Sequence, residues 1–454
     1  MIASLLSALL LVAPVQSPPS AELQYGTVVV QSDPSPVAVA VTLRFPAGSA
    51  QDEQGKEGTA HLLAQVMEAE ANRQLARSPS RVSVGVTRDE FLVSLVTAPG
   101  EWQAGLSAVQ DLLDGAPLPG AELEAARARQ LARLTFEEGA PVRSFELERV
   151  RLVRGPQSPA GRPVGGTGSS VETIDLGDLD DFRTRHLDPA SATAAVVGPV
   201  SRNDVERVLP GEIRTASARS PFQQAGEGQR PTARRAGADT LAAPAEPRPA
   251  PPRTRLQRDL LSPLGVPSSP EGPPAWSEGD RREVDREITS VWFAVAWPFP
   301  QGTSRSLLEF LALTLQEGLV SSPPDPGLYG ADVRVEVLEG RPVLTVSISA
   351  DPREAARWEE RTLAAMESIV EAPPEGSFFE LSRRRFRNQV LLDMSGPLER
   401  SRWLARIVAE EDEIPDPQAD VWRLSRDGLS QAAAAAGPPR IFVLGPLHMM
   451  RTGR

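Results

Sequence analysis

His61, Ala64 and Gln65 stand at positions i, i+3 and i+4 of the run Gly58-Thr59-Ala60-His61-Leu62-Leu63-Ala64-Gln65. On a helix these three positions share one face. A glutamate and a second histidine in the last two places would complete the pattern H-x-x-E-H. Its two imidazoles, four residues apart, bind one zinc ion, and its carboxylate acts as general base on the zinc-bound water. In this chain the base position is Ala64 and the second ligand position is Gln65. Only His61 remains of that chemistry.

The supply of other ligands is short. The chain has three histidines, His61, His186 and His448, and no cysteine. A catalytic zinc needs three protein ligands and an open position. His186 lies in Thr184-Arg185-His186-Leu187-Asp188 and His448 near the C-terminus, neither at helical spacing from His61. Glu68 is two turns along the same helix, about 10 Å away along the axis. Other chemistries are no better supplied. There is no G-x-S-x-G elbow for a serine nucleophile. Gly165-Gly166-Thr167-Gly168-Ser169-Ser170 reads as a helix-capping loop, because no lysine follows it as a phosphate loop requires. The arginines Arg127, Arg129 and Arg133, and those from Arg383 to Arg387, read as solvated helix faces paired with nearby glutamates.

The elements that must position these residues fall into two similar halves. The 454 residues suffice for two or three domains, and 40% hydrophobic content suits a globular protein. A net charge of −12 argues against nucleic acid or an anionic membrane as the main partner. Lys56 is the one lysine, a bias of the kind a GC-rich bacterial genome produces. Leu5 to Ala13 is an apolar run of signal-peptide length, too short to span a bilayer, so residues 1–20 are expected to be a leader directing export to the periplasm or medium. Residues 214–256, rich in Pro, Ala and Arg, read as an extended linker between domains at 21–213 and 257–454.

Three paired signatures mark the duplication. Val39 to Pro46 running into Ala47-Gly48-Ser49 matches Val291 to Pro298 with Gln301-Gly302-Thr303-Ser304. Ala194 to Val200 matches Ile441 to Leu447, and Gly139-Ala140-Pro141 matches Ser395-Gly396-Pro397. All are offset by roughly 250 residues, a spacing that chance does not readily repeat. Strands are expected at Tyr25–Val30, Val37–Phe45, Val82–Val86, Phe91–Val96, Val333–Val337 and Val343–Ser349. Helices are expected from Thr59, as cap, to about Ala76, at Glu101–Leu113, Gly120–Phe136 and Val142–Val153, and as one helix over Val171–Arg185 opened by Ser169-Ser170. In the second half they fall at Ser304–Glu317, Pro352–Val370, Phe378–Leu391 and Gly396–Glu410. The expectation is an α+β protein of two homologous halves, each a mainly antiparallel sheet covered by helices on one face, forming a clamshell.

The order of these features resembles the pitrilysin/insulinase family of inverted-motif zinc peptidases, in its bacterial branch similar to mitochondrial processing peptidase. Tyr25 to Val30 resembles the opening strand, and Phe45-Pro46-Ala47-Gly48-Ser49 with Gly58 to Leu63 the approach to the metal helix. Thr87-Arg88-Asp89-Glu90 resembles the turn after the substrate-binding edge strand. Gly161 to Thr167 and Asp178 to Phe182 resemble the later loop and helix. The resemblance places the first zinc histidine on His61, the catalytic glutamate on Ala64 and the second zinc histidine on Gln65. With Pro141 setting the register, it places the third ligand on Arg133, with Glu137 as the nearest substitute carboxylate, and an accessory glutamate near Ala126. In the second half it implies a substrate-holding Tyr at Tyr329, with the companion Arg position near Ser322 in Ser321-Ser322-Pro323-Pro324.

A protein without base and second histidine is expected to be non-catalytic and to bind no cofactor. It would act as partner subunit to an active peptidase of the same family, as a homodimer, or as a chamber for a peptide or unfolded protein. The alternatives are a zinc endopeptidase with atypical ligands, His61 and Glu137, and a standalone peptide-binding protein.

Overall fold

The computed structural model describes residues 24–137, 140–154, 158–216, 281–320, 327–338, 341–410, 414, 421 and 423–452. The expected leader lies outside the described residues, as does the expected linker beyond Ala216. Arg214 and Thr215, the first two residues of that expected linker, belong to strand β6 (Gly211–Thr215), parallel to β1 (Tyr25–Ser32).

Strand β2 (Val39–Phe45) buries every one of its residues, both faces of the pleat alike. A strand in that position needs cover on both sides. In the first half β2 is central to a sheet of order β3-β4-β2-β5-β1-β6, with β3 (Arg81–Val86) and β4 (Phe91–Thr97) on one side and β5 (Thr193–Gly198) on the other. One face carries Val41, Leu43, Phe91, Val93 and Leu95, which pack with Leu62, Leu63, Val66 and Met67 of helix α1 (Thr59–Gln74). Helices α2 (Trp102–Leu113) and α3 (Gly120–Glu137) add Leu106, Val109, Leu123 and Ala126 to the same core. The chain continues through α4 (Pro141–Arg154), α5 (Gly168–Thr173) and α6 (Leu176–His186) to β5, then through α7 (Arg202–Val208) to β6.

The second half repeats the plan. It contains β7 (Arg281–Asp285), β8 (Val291–Pro298), α8 (Arg305–Leu319), β9 (Leu328–Leu338) and β10 (Arg341–Ala350). Helices α9 (Ala355–Glu371), α10 (Gly376–Asp393), α11 (Pro397–Glu410) and α12 (Arg426–Ala434) precede β11 (Arg440–Gly445) and α13 (Leu447–Thr452). Its order, β9-β10-β8-β11-β7, matches β3-β4-β2-β5-β1 strand for strand. The duplication read from three short signatures is therefore a duplication of topology. Both sheets are mainly antiparallel, with parallel pairing of β1 to β5 and of β7 to β11.

What covers the second face of each sheet is a helix from the other half. Helix α11 lies across β1, β2, β4 and β5, and its Leu404, Ala405, Ile407 and Val408 pack on Val29, Ala195 and Val197. Helix α4 lies across β8 and β11, where Phe145 packs on Ala294, Phe442 and Leu444. The Phe145 ring stands 5.7 Å from those of both Trp292 and Phe442. Buried ion pairs fix the exchange. Arg149 of α4 grips Glu336 of β9 through two hydrogen bonds of 2.8 and 3.1 Å. Burial alone would raise the Glu336 carboxyl, but Arg149 pulls it down to about 2. Arg400 of α11 donates to Asp33 at 2.6 Å, and Ser401 bonds Thr42 of β2 at 2.8 Å. Burial penalises the Asp33 anion, yet the bonds from Arg400 and the Ser35 amide hold its carboxyl below the ordinary range.

Two expected helix boundaries differ. The segment expected as one helix from Val171 is two, α5 and α6, broken at Ile174-Asp175. Thr167 caps the first by accepting from the Ser170 amide, and Asp175 caps the second by accepting from the Asp178 amide. Helix α1 is not capped by Thr59 either. Its N-cap is Gly58, at φ +103°, and the buried Asp52 carboxylate accepts from the amides of Gly58 (2.7 Å) and Ala60 (2.9 Å). A side chain from the preceding turn does what a local hydroxyl was expected to do.

Removing the ring that anchors an exchanged helix should cost heavily. Phe145→Ala is expected to lower stability by about 3–5 kcal/mol, read from urea denaturation. A loss below about 1 kcal/mol, the scale of a surface change, would show that α4 contributes little to joining the halves.

Candidate functional site

Helix α1 is held rigidly by the capping carboxylate at its start and by strand β3 along its side. Asn72 bonds both the amide and the carbonyl of Val82, and Glu68 accepts from the Val84 amide at 2.9 Å. Glu68 therefore faces the sheet edge and is committed to it. The motif residues share the helix face of Glu68 one to two turns earlier, and there Gln65 meets α3: Ala64 is buried, and His61 and Gln65 are half-buried.

The residue that meets them is Gln130. It is buried, and its Oε1 accepts from Gln65 Nε2 at 3.3 Å and from Arg133 Nη2 at 3.0 Å. Its Nε2 donates to the carbonyl of Gly165, and its side chain also bonds His61. A Cβ on Gly165 would stand 2.4 Å from the side-chain nitrogens of both Gln130 and Arg133, so a larger residue there would have to displace the ends of those two side chains. The run Gly165 to Ser170 is the capping loop of α5, as expected, and it also forms one wall here.

Electrostatics complete the picture. Burial, and after it the charge of Arg133, push the His61 imidazole down to about 4, while its bond to Gln130 opposes them. His61 is thus neutral at physiological pH with a guanidinium as its cationic neighbour. Glu137, the expected substitute ligand, lies two turns beyond Gln130, about 10 Å along α3. Its carboxylate pairs with Arg143 at 3.1 Å and Arg133 at 3.7 Å. The arginines thus compensate the Glu137 carboxylate, and Gln130 is the α3 residue that bonds Gln65 of the motif. Among the described residues no group of three or more His, Cys, Asp or Glu converges closely enough to hold a metal ion. One imidazole, two neutral amides and a guanidinium do not fit zinc, which is held by imidazole, thiolate and carboxylate donors.

The remaining expected positions are scattered. Ala126 is buried in the core of the first half. His186 ends α6, its ring 4.8 Å from that of Phe182, and lines a shallow hollow with Glu53, Lys56 and Asp178. Lys56 closes that hollow with bonds to Asp178 and the Thr173 carbonyl, both 2.6 Å. His448 lies on α13. Tyr329 is exposed at the start of the edge strand β9, while Ser322 lies outside the described residues. The arginine faces are paired as expected in part: Arg383 with Glu380 and Arg385 with Glu317. Arg127 also ties α3 to the carbonyls of Val171 and Ile174. Gln130 is the residue that the sequence did not offer, since a glutamine on an amphipathic helix carries no signal of its own.

Comparison with protein-family models and with curated proteins finds no match to the sequence. Solved structures do match. A protease from Helicobacter pylori aligns with TM-score 0.69 at 14% identity, covering 93% of this chain and 98% of that one. An inactive peptidase M16 domain from Pseudomonas fluorescens aligns with TM-score 0.63 at 14% identity, over 94% and 96%. A chain of complex III2 from Candida albicans gives TM-score 0.64 at 12% identity, over 94% and 97%. The chain has the M16 peptidase-like fold. Within that M16-like fold, His61, Ala64 and Gln65 lie on α1, the third element of the first half, and their surroundings are amide and guanidinium.

The depressed imidazole has a signed consequence. Its folded value, about 4, lies below the ordinary 6.5, so the stabilisation is present above pH 6.5 and is lost as pH falls from there towards 4. In an NMR titration the His61 resonance is expected to shift only near pH 4. The wild type should lose more stability than His61→Gln, a difference of at most a few kcal/mol, between neutral pH and pH 4. A His61 midpoint near 6.5 would refute the enclosed, Arg133-flanked position.

Proposed function

We propose that this protein is a non-catalytic relative of the pitrilysin/insulinase peptidases, exported, which acts with an active zinc peptidase as its partner subunit and contributes a peptide-binding chamber. The observation that carries this reading is the contact set at the motif: Gln65 bonded to Gln130, with Arg133 charging the site against a cation. Loss of a general base alone leaves a rate deficit of about 10²–10⁴. Loss of the metal's ligands removes the water that such a base would activate. The losses act on successive requirements, and their sum is a chamber without chemistry.

The retained architecture supports a binding role. Both sheets keep their full strand order, and each keeps an exposed edge strand, β3 and β9. An inactive peptidase domain and a chain of complex III2 share the fold, which is compatible with a role that does not depend on cleavage. The apolar N-terminal run motivates export. Among the described residues no helix is long and apolar enough to cross a membrane.

Purified wild-type protein is expected to carry substoichiometric zinc by elemental analysis and to leave unfolded casein intact. Gln65→His combined with Gln130→Glu should gain zinc, because those substitutions supply the imidazole and carboxylate at the two amide positions. Co-purification from the native host should recover a chain bearing an intact H-x-x-E-H. Stoichiometric zinc in the wild type, with cleavage abolished by His61→Ala, would overturn the proposal.

A further inference from the structure

The face of the first sheet that α11 covers carries a line of arginines with too few carboxylates. Arg402 of α11 reaches across two strands, its Nε 3.1 Å from Ser94 Oγ of β4 and its Nη2 2.9 Å from Ser83 Oγ of β3. Ser83 and Ser94 face each other in the ladder. No carboxylate lies within ion-pair distance of Arg402 among the described residues, and Glu399 acts on it only from further off. One turn along the helix, Arg406 shares the fully buried Glu90 with Arg44: Glu90 takes Arg44 at 2.5 Å and Arg406 at 3.5 Å. Arg305, at the start of α8, adds its charge to the same cluster and is paired with Glu309 at 2.7 Å. Arg81 lies two residues before Ser83 on β3, which places it on the same face of the pleat, and it is exposed.

Positive charge therefore exceeds negative charge along this strip, in a protein whose net charge is −12. Burial, together with the neighbouring arginines, lowers the Arg406 guanidinium, and burial lowers Arg402. An anion laid on the strip would relieve both. Spacing selects the kind of anion. Arg81 and the Ser83 seat of Arg402 are about 7 Å apart along β3, and Arg402 and Arg406 about 6 Å apart along α11. An extended peptide presents every second side chain on one face at about 7 Å intervals. Guanidinium forks bind carboxylates in the bidentate manner.

We propose that the strip Arg81–Arg402–Arg406, at the edge strand β3, binds acidic peptide segments whose carboxylates alternate along an extended chain. This deepens the chamber reading and rests on it, by giving the chamber a charge preference.

The test is calorimetric titration of the full protein with an octapeptide alternating Glu and Ala, its Gln-for-Glu analogue, and glutarate. The acidic peptide should bind about tenfold or more tightly than the Gln analogue, as one charge-assisted contact implies, and its affinity should fall with added salt. Arg402→Met should weaken it by a similar factor. Arg81→Ala, a change at an exposed side chain, should weaken it less without altering the thermal melt, which keeps the test valid if Arg402→Met misfolds. Equal affinity for the Glu and Gln peptides, or no effect in a folded Arg402 or Arg81 variant, overturns the charge preference and leaves the chamber standing. Glutarate binding as tightly as the peptide overturns the peptide assignment in favour of a small dicarboxylate. Binding of neither peptide overturns both this inference and the chamber reading.

Discussion

Each half of this protein builds a sheet with two apolar faces and supplies enough of its own helices to cover one. That constraint organises everything else. Val29, Ala195 and Val197 in one half, and Ala294, Phe442 and Leu444 in the other, would be left in water by their own domain. Fully burying an aliphatic or aromatic side chain is worth about 1.5–3 kcal/mol, so several such residues per face cannot remain bare. The exchange of α4 and α11 meets the need in both halves with one symmetrical device. It also explains why β2 has no exposed residue.

The exchange carries polar cargo with it. Arg149, Arg400, Arg402 and Arg406 all sit on exchanged helices, and their partners lie on the opposite half's strands or turns. Buried ion pairs add little net stability, but leaving one partner alone is costly. These pairs therefore specify where the exchanged helices dock, while the apolar contacts supply the driving force. Arg402, held by two serines alone, is where the scheme leaves charge uncompensated among the described residues.

Around His61 the same accounting of charge gives a coherent result. A metal would bring two positive charges to His61 and require anionic or imidazole ligands around it. The chain instead brings Arg133 to the neighbourhood and surrounds His61 with amides that are hydrogen-bonded to one another. Gln130 satisfies its polar atoms through Gln65, Arg133 and the Gly165 carbonyl. Those hydrogen bonds close the arrangement around Gln130.

Periodicity in the sequence was enough to place β1 to β5, β8 to β11 and the long helices, because alternation and helical spacing are local properties, but it offered neither β6 nor β7, short strands that carry little alternation. It was also enough to show the duplication and the absence of base and second histidine at Ala64 and Gln65, since those are matters of residue identity. It misplaced the caps of α1 and α5, where Asp52 and Thr167 act from outside the expected positions. Pairings between distant residues were beyond it. That Gln130 rather than Glu137 meets Gln65, and that α4 and α11 trade places, follow from how helices pack once both sheets exist. Residue identity determined that Ala64 and Gln65 follow His61 at i+3 and i+4; only tertiary packing decided what surrounds it, because those contacts join segments that no local pattern connects.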